Sequence, residues 1–340
     1  MAPNLNTLPT ETLTLILHQF CLHCSKEHGY NSPDGYFRST AYDQKPDQPS
    51  WYSRDYRRTL HSLCLVSKCL RSVAEPILYH EFIPGYGDSW RSTQFSWNGR
   101  LAPFLRTIAA RPDLAARVKR IFVHSFLLRG VSEEEVQTLL REIFRASGSP
   151  GANERLAEYV VAFDERQRDH WFSKGGGTVA GLELLGVFLA LVPNLERLSL
   201  QLKETGGLPT GTLATVKGLS RSNMPILSNL KSLDVYPRNA GGWLCGVNDY
   251  AGEILEAVQA SKGSLSTLNL HKSAGVAGVN LHGLQTLRVI QARLTDWSLA
   301  QLLGLCKTPG LKSFYYEATL PLTDRYSCIQ GDCESFSPSK

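Results

Sequence analysis

Four histidine and cysteine residues near the start of the chain are spaced as metal ligands often are. They are His18, Cys21, Cys24 and His28, separated by three, three and four residues. Two helical pairs at this spacing could present four zinc ligands. His18 and Cys21, however, belong to an apolar helix whose end Cys21 would help to pack. The sequence favours a buried thiol with solvent-facing histidines, so we assign no metal ligand, and a zinc site is the alternative.

The chain contains none of the common catalytic signatures, such as G-x-x-x-x-G-K-[ST], H-E-x-x-H or G-x-S-x-G. The glycines at 175–177 precede a helical segment, but no apolar strand leads into them. We therefore predict a connecting loop there, with Thr178 as the N-cap of the helix. Cys328 and Cys333 supply only two ligands. These observations predict a protein that is not an enzyme and needs no cofactor.

A short apolar pattern recurs six times in the last two thirds of the chain. It has the form apolar-x-x-apolar-x-apolar, and its last two positions alternate as they do in a half-buried strand. Successive copies begin 77, 35, 35, 19 and 27 residues apart. The copies are Val118, Ile121, Val123; Leu195, Leu198, Leu200; Leu230, Leu233, Val235; Leu265, Leu268, Leu270; Leu284, Leu287, Val289; and Leu311, Phe314, Tyr316.

Apolar residues at helical spacing fill most of the intervals between these strands. Leu182, Leu185 and Phe188 precede the second copy, and similar patterns precede the fourth and sixth. A helix that returns behind each strand is typical of a solenoid. The sequence thus predicts an α/β fold of short parallel strands with helical returns. An unrelated α/β sheet with helical crossovers is the alternative.

The six copies in order resemble an irregular leucine-rich-repeat solenoid, whose usual period is about 20 to 29 residues. The resemblance covers about residues 101–319, and residues 320–340 form a polar, irregular tail without helical spacing. We expect the array to be truncated there, which would leave the edge near residues 314–316 exposed.

A different pattern occupies the first 82 residues. Leu13, Ile16 and Leu17 form one apolar stripe on a helix that begins near position 9, and apolar residues resume helical spacing from position 60. Between them, residues 21–55 are rich in Ser, Asp, Pro and Gly and predict a loop insert. We expect a small helical module whose leftover apolar faces contact a partner.

Three short motifs of this module carry a family resemblance. They are Leu8-Pro9-Thr10-Glu11, Leu63-Cys64-Leu65-Val66-Ser67-Lys68 and Ala74-Glu75-Pro76-Ile77-Leu78-Tyr79. Together they resemble an F-box of the fungal type. The resemblance implies a three-helix module over residues 5–82 that binds the Skp-type adaptor of a cullin-RING ubiquitin ligase. The implied adaptor-binding residues are Leu8, Pro9, Glu11, Ile16, Leu17, Leu63, Leu65 and Val66.

Residues that flank the apolar positions of each strand project to the opposite face of the sheet, which is concave in leucine-rich-repeat solenoids. Mixed charge with tyrosine and histidine suits protein recognition on this face. A solvated polar face without a ligand is the alternative. The predicted target-binding residues are Arg197, Gln201, Asp234, Tyr236, Asn269, His271, Arg288 and Tyr315.

These features predict a substrate-recognition subunit of an SCF-type ligase, which binds the adaptor, through it a cullin, and an unknown protein substrate. A leucine-rich-repeat scaffold that is not linked to degradation is the alternative. A net charge of +5 over 340 residues is too weak to predict nucleic-acid binding. The longest apolar stretch, residues 182–192, is too short to span a membrane. We expect the chain in the cytoplasm or nucleus.

Overall fold

The structure is a computed structural model of the 340-residue chain. It describes residues 5–25, 49–83, 97–123, 127, 132–146, 176–203, 227–238, 245–246, 255, 258, 265–271, 273–275, 283–292, 294, 299–300, 302, 304 and 310–318. The middle of the predicted insert, residues 26–48, and the predicted tail at 320–340 lie outside the described residues.

Four helices form the N-terminal module. They are α1 (Thr10–His18), α2 (Leu22–Ser25), α3 (Pro49–Val66) and α4 (Lys68–Leu78), preceded by a 3-10 turn at Leu5–Thr7. The Ser67 hydroxyl accepts a hydrogen bond from the Leu70 amide at 3.1 Å, which caps α4. The predicted loop insert at 21–55 is helical at both ends, since α2 and the start of α3 lie inside it.

The helical module has a hydrophobic core of its own, separate from the core of the rest of the chain. Leu13 and Leu17, two residues of the predicted apolar stripe, are 1% and 3% exposed. The buried side chains of this core are Leu13, Leu17, Cys21, Leu60, Leu70, Val73, Ala74 and Ile77. The small module therefore folds around its own apolar cluster.

Seven strands form one parallel sheet in which each pairs with the next in chain order. A separate pair consists of β5 (Cys245–Gly246) and β7 (Ser273–Gly275). The seven are β1 (Glu81–Phe82), β2 (Arg120–Val123), β3 (Arg197–Lys203), β4 (Ser232–Arg238), β6 (Thr267–His271), β8 (Thr286–Ala292) and β9 (Ser313–Ala318). This confirms the predicted α/β class with short parallel strands, and the arrangement is compatible with a solenoid.

Strand β1 differs from the sequence prediction, which placed residues 81 and 82 in the helical module. Glu81 lies beside Arg120 and Phe82 beside Ile121, so the sheet begins well before position 101. A strand of two residues is too short to show an alternating pattern, which explains why sequence periodicity missed it.

Backbone hydrogen bonds set the register at each step from strand to strand. The amides of Lys119 and Arg120 both donate to the His80 carbonyl, and those of Glu196 and Arg197 both donate to the Lys119 carbonyl. The same paired bonds recur before β4, β6, β8 and β9. Each strand therefore starts level with its neighbour, although the intervals between strands differ in length.

Helices pack against the sheet in one continuous core. The Phe188 ring contacts the rings of Phe82 and Phe104, with centroid distances of 5.3 and 5.6 Å. No helix in the described ranges is long and apolar enough to cross a membrane. The helices that follow the N-terminal module are α5 (Ala102–Ala110), α6 (Pro112–Ala115), α7 (Glu133–Ala146) and α8 (Gly176–Leu191). A π-helical turn (Trp97–Leu101) precedes α5.

Candidate functional site

Exposed apolar side chains of the helical module include four on its first and third helices, and we call these four the docking surface. On α1, Leu15 is 68% and Ile16 is 40% exposed; at the end of α3, Leu65 is 75% and Val66 is 67% exposed. Other residues of these helices already fill the module core. The docking surface is therefore exposed apolar area that the module core does not use.

The predicted adaptor-binding residues are found both on the surface and in the core of the module. The exposed ones are Pro9, Glu11, Ile16, Leu65 and Val66. Leu8 and Leu63 are half-buried and pack against the module core. Leu17 does not lie on the surface as predicted, because its side chain fills that core. Leu15 is exposed but was not among the predicted residues.

The sheet face opposite the apolar positions carries a buried polar network. The Asp234 carboxylate accepts hydrogen bonds from Arg197 Nε at 2.8 Å, from the Ser199 hydroxyl and from the Asn269 amide. Asp234 and Asn269 are each 1% exposed. Burial alone would raise the pKa of Asp234, but the charge of Arg197 and these hydrogen bonds outweigh burial, so the pKa lies below its usual value.

A cavity of about 460 Å³ lies along the starts of the strands. Its described lining includes four cations and one carboxylate, and the Lys231 ammonium pairs with the Glu196 carboxylate at 2.9 Å. Arg120 and Arg197 are likewise ion-paired, with Glu81 and Asp234, so the lining carries only a small excess of positive charge. The lining residues are Arg120, Arg197, Ser232, Thr267, Thr286 and Ser313 at matching strand positions, with His23, Glu196, Lys231, Asn269 and Arg288 beside them.

The predicted target-binding residues fall into three groups. Arg288 is half-buried and Tyr315 is exposed, with the guanidinium 5.7 Å from the ring centroid. The side chains of Gln201 and Tyr236 lie outside the part of the chain that the structure describes. The remaining four are not the open surface that we predicted, because their side chains are buried: Arg197, Asp234, Asn269 and His271.

Four groups able to bind a metal meet where the helical module joins the sheet. The ligand atoms of Cys21, His23, Cys24 and His80 all lie within 4.8 Å of one another. A hydrogen bond to Cys24 and burial raise the pKa of Cys21 to about 12. The same hydrogen bond lowers the pKa of Cys24.

Only part of this group was anticipated from the sequence. Cys21 and Cys24 are brought together, but the His18 ring lies 6.3 Å from the His80 ring and is not one of the four groups. His28 lies outside the described residues. His23 sits between the two cysteines in the sequence and could have been noticed, whereas His80 is 56 residues beyond Cys24 and carries no spacing signal.

The chain was compared with protein families, curated proteins and solved structures. No family model, no curated protein and no solved structure matches the chain. The docking surface, the cavity and the Cys-His group are therefore the features on which a functional argument can be built.

Proposed function

We propose that this chain is the substrate-recognition subunit of a cullin-RING ubiquitin ligase. In this proposal the helical module is an F-box that binds a Skp-type adaptor, and the sheet is a leucine-rich-repeat solenoid that holds a protein target. The observation that carries the proposal is the docking surface, because it leaves apolar side chains exposed on a module whose core is already filled.

The docking surface is suited to a stable protein contact. Burying one Leu, Ile or Val side chain contributes about 1.5–3 kcal/mol. The four side chains are 40–75% exposed, so burying the rest of each contributes less than this, and together they offset part of the association cost, which is about 4–15 kcal/mol. Pro9 and Glu11 are exposed on the same module and can supply contacts at the rim.

The cavity supports the receptor half of the proposal. The cations that line it come from different parts of the sheet: Arg120 begins β2, Lys231 precedes β4 and Arg288 lies in β8. Glu196 is the one carboxylate of the described lining. Three of the four lining cations are ion-paired, and the small positive excess that is left would favour a target segment that carries Asp or Glu side chains. The chain itself performs no bond chemistry in this proposal. It raises the effective concentration of target lysines near the conjugating enzyme.

The test compares a variant of the docking surface with a matched control. Leu65→Asp combined with Val66→Asp should abolish binding to a purified Skp-type adaptor while the circular dichroism spectrum stays unchanged, because both side chains are exposed. Phe314→Asp makes the same apolar-to-acidic change at an exposed position of β9 and should bind normally. Isothermal titration calorimetry measures both affinities.

A second readout separates a receptor from a scaffold. Cells that lack the chain should accumulate its targets in quantitative proteomics, and wild type should reverse this, whereas the double variant at Leu65 and Val66 should not. A wild-type chain that does not bind the adaptor would contradict the F-box assignment. Adaptor binding without accumulation of any protein would instead favour the scaffold.

A further inference from the structure

The Cys-His group at the junction of module and sheet has the composition of a structural zinc site. Two thiols and two imidazoles are the ligand set of many structural zinc centres, in which four ligands surround the ion as a tetrahedron. In the part of the chain that the structure describes, Cys21, His23, Cys24 and His80 bring this set together from two segments.

Three of the distances between the ligand atoms match that geometry, and all four atoms lie within 4.8 Å of one another. Zinc bonds of about 2.3 Å to sulfur and about 2.0–2.1 Å to nitrogen place adjacent sulfur and nitrogen ligands about 3.5 Å apart. The Nδ1 atom of His80 lies 3.6 Å from Cys21 Sγ and 3.3 Å from Cys24 Sγ, and His23 Nδ1 lies 3.5 Å from Cys24 Sγ. The three sulfur–nitrogen separations that can be compared thus have the required length.

The backbone holds both halves of the group in place. The Cys21 carbonyl accepts hydrogen bonds from the amides of Cys24 and Ser25, at 3.0 and 2.9 Å, which fixes the turn that carries three of the ligands. The His80 carbonyl accepts the amides of Lys119 and Arg120, at 2.8 and 3.0 Å, which fixes the fourth ligand at the start of the sheet. Such preorganised ligands need little rearrangement to bind an ion.

We propose that Cys21, His23, Cys24 and His80 bind one zinc ion that fastens the helical module to the first step of the sheet. Each thiol gives its proton to solvent as the sulfur–zinc bond forms, and each imidazole binds as the neutral form through Nδ1. The two thiolates balance the two positive charges of the ion. The centre therefore adds no net charge beside Glu81, which is 5% exposed.

Zinc at this position would have a structural effect at the junction. It joins Cys21 of the module core, and Cys24 which packs against that core, to His80. The His80 carbonyl accepts hydrogen bonds from the amides at the start of β2. The orientation of the docking surface relative to the cavity would then be fixed by coordinate bonds. Zinc binding is independent of which partner the docking surface has.

The metal content of the purified full chain tests this proposal. Wild type, expressed with added zinc and purified without chelator, should carry about one zinc per chain in plasma mass spectrometry. Cys24→Ser and His80→Asn should each weaken zinc binding by about 100-fold or more, because even loss of a residue behind a ligand costs 10–100-fold. Cys69→Ser and His61→Asn are matched controls at exposed positions and should keep the metal.

Cobalt substitution of the wild-type chain gives a readout that does not depend on the folding of any variant. Cobalt(II) bound by two thiolates and two imidazoles should show intense visible bands and thiolate charge transfer, as tetrahedral sites do. The proposal is overturned if wild type takes up neither zinc nor tetrahedral cobalt. It is also overturned if Cys21 and Cys24 are found as a disulfide, or if Cys24→Ser and His80→Asn bind zinc as tightly as wild type.

Discussion

Asn in place of Asp234 removes one buried charge and leaves the shape of the side chain almost unchanged. The carboxylate is 1% exposed and lies 2.8 Å from Arg197 Nε, and Arg197 is itself 7% exposed. Removing one member of a buried ion pair costs about 3–5 kcal/mol, because the other charge stays buried. This is a large part of the total stability of a typical protein, about 5–15 kcal/mol.

The expected loss can be expressed as a melting temperature. At about 2.1 cal/mol/K per residue, the 340 residues correspond to an unfolding entropy of about 0.7 kcal/mol/K. A loss of 3–5 kcal/mol then lowers Tm by about 4–7 °C. Urea unfolding followed by circular dichroism measures the free energy directly, and the slope of the transition should stay unchanged.

Asp113→Asn provides the matched control for this experiment. Asp113 also pairs with an arginine, Arg111, at 2.7 Å, but its side chain is 62% exposed. Exposed pairs contribute about 0.2–1 kcal/mol, so the same substitution there should cost less than about 1 kcal/mol. Adding Arg197→Met to Asp234→Asn should restore part of the stability, because it removes the buried charge. Equal losses at positions 113 and 234 would refute the reasoning.

Two further predictions concern a helix cap and a bridging carboxylate. Ser67→Ala removes the hydroxyl that accepts the Leu70 amide and should lower the free energy of urea unfolding by about 1 kcal/mol, whereas no loss would show that this cap is dispensable. Burial alone would raise the pKa of Glu196, but hydrogen bonds from Lys231 and Lys119 outweigh it and lower the pKa to about 2, from 4.5. Its stabilising effect is therefore present above pH 4.5 and lost as the pH falls toward 2. The unfolding free energies of wild type and Glu196→Gln should converge over that pH range. A constant difference between them would contradict this prediction.

The strands of the sheet were predictable because their apolar positions follow a fixed rule. Leu198, Leu233, Leu268 and Leu287 recur at the same place in each copy, and all four are 0% exposed. They also lie side by side in the sheet. Burial of one face dictates an alternating pattern, which the sequence displays directly.

The polar side of the sheet was less predictable. The same alternation places Asp234 and Asn269 on the face away from the apolar positions, and this suggests exposure. Whether such a face is open depends on what packs over it, which no local pattern records. Both side chains are buried in the structure, where Asp234 accepts hydrogen bonds from Arg197 and from Asn269.

The Cys-His group was hidden for a related reason. Cys21 and His80 are 59 residues apart, and their Sγ–Nδ1 distance of 3.6 Å depends on where α4 ends and where the sheet begins. Sequence spacing can group candidate ligands that lie on one helix or turn, as it grouped Cys21 and Cys24 in the zinc alternative. It cannot find a ligand that the tertiary fold supplies from a distant segment.

The constant register of the sheet has a consequence for how such a protein can change over evolutionary time. The intervals between paired strand starts range from 19 to 77 residues, yet the first residues of the strands stay level. Doubling the length of a flexible connection costs only about 0.6 kcal/mol. Insertions between strands can therefore accumulate at little cost while the cavity lining keeps its order. The connections between strands and the residues that line the cavity can therefore change independently of each other.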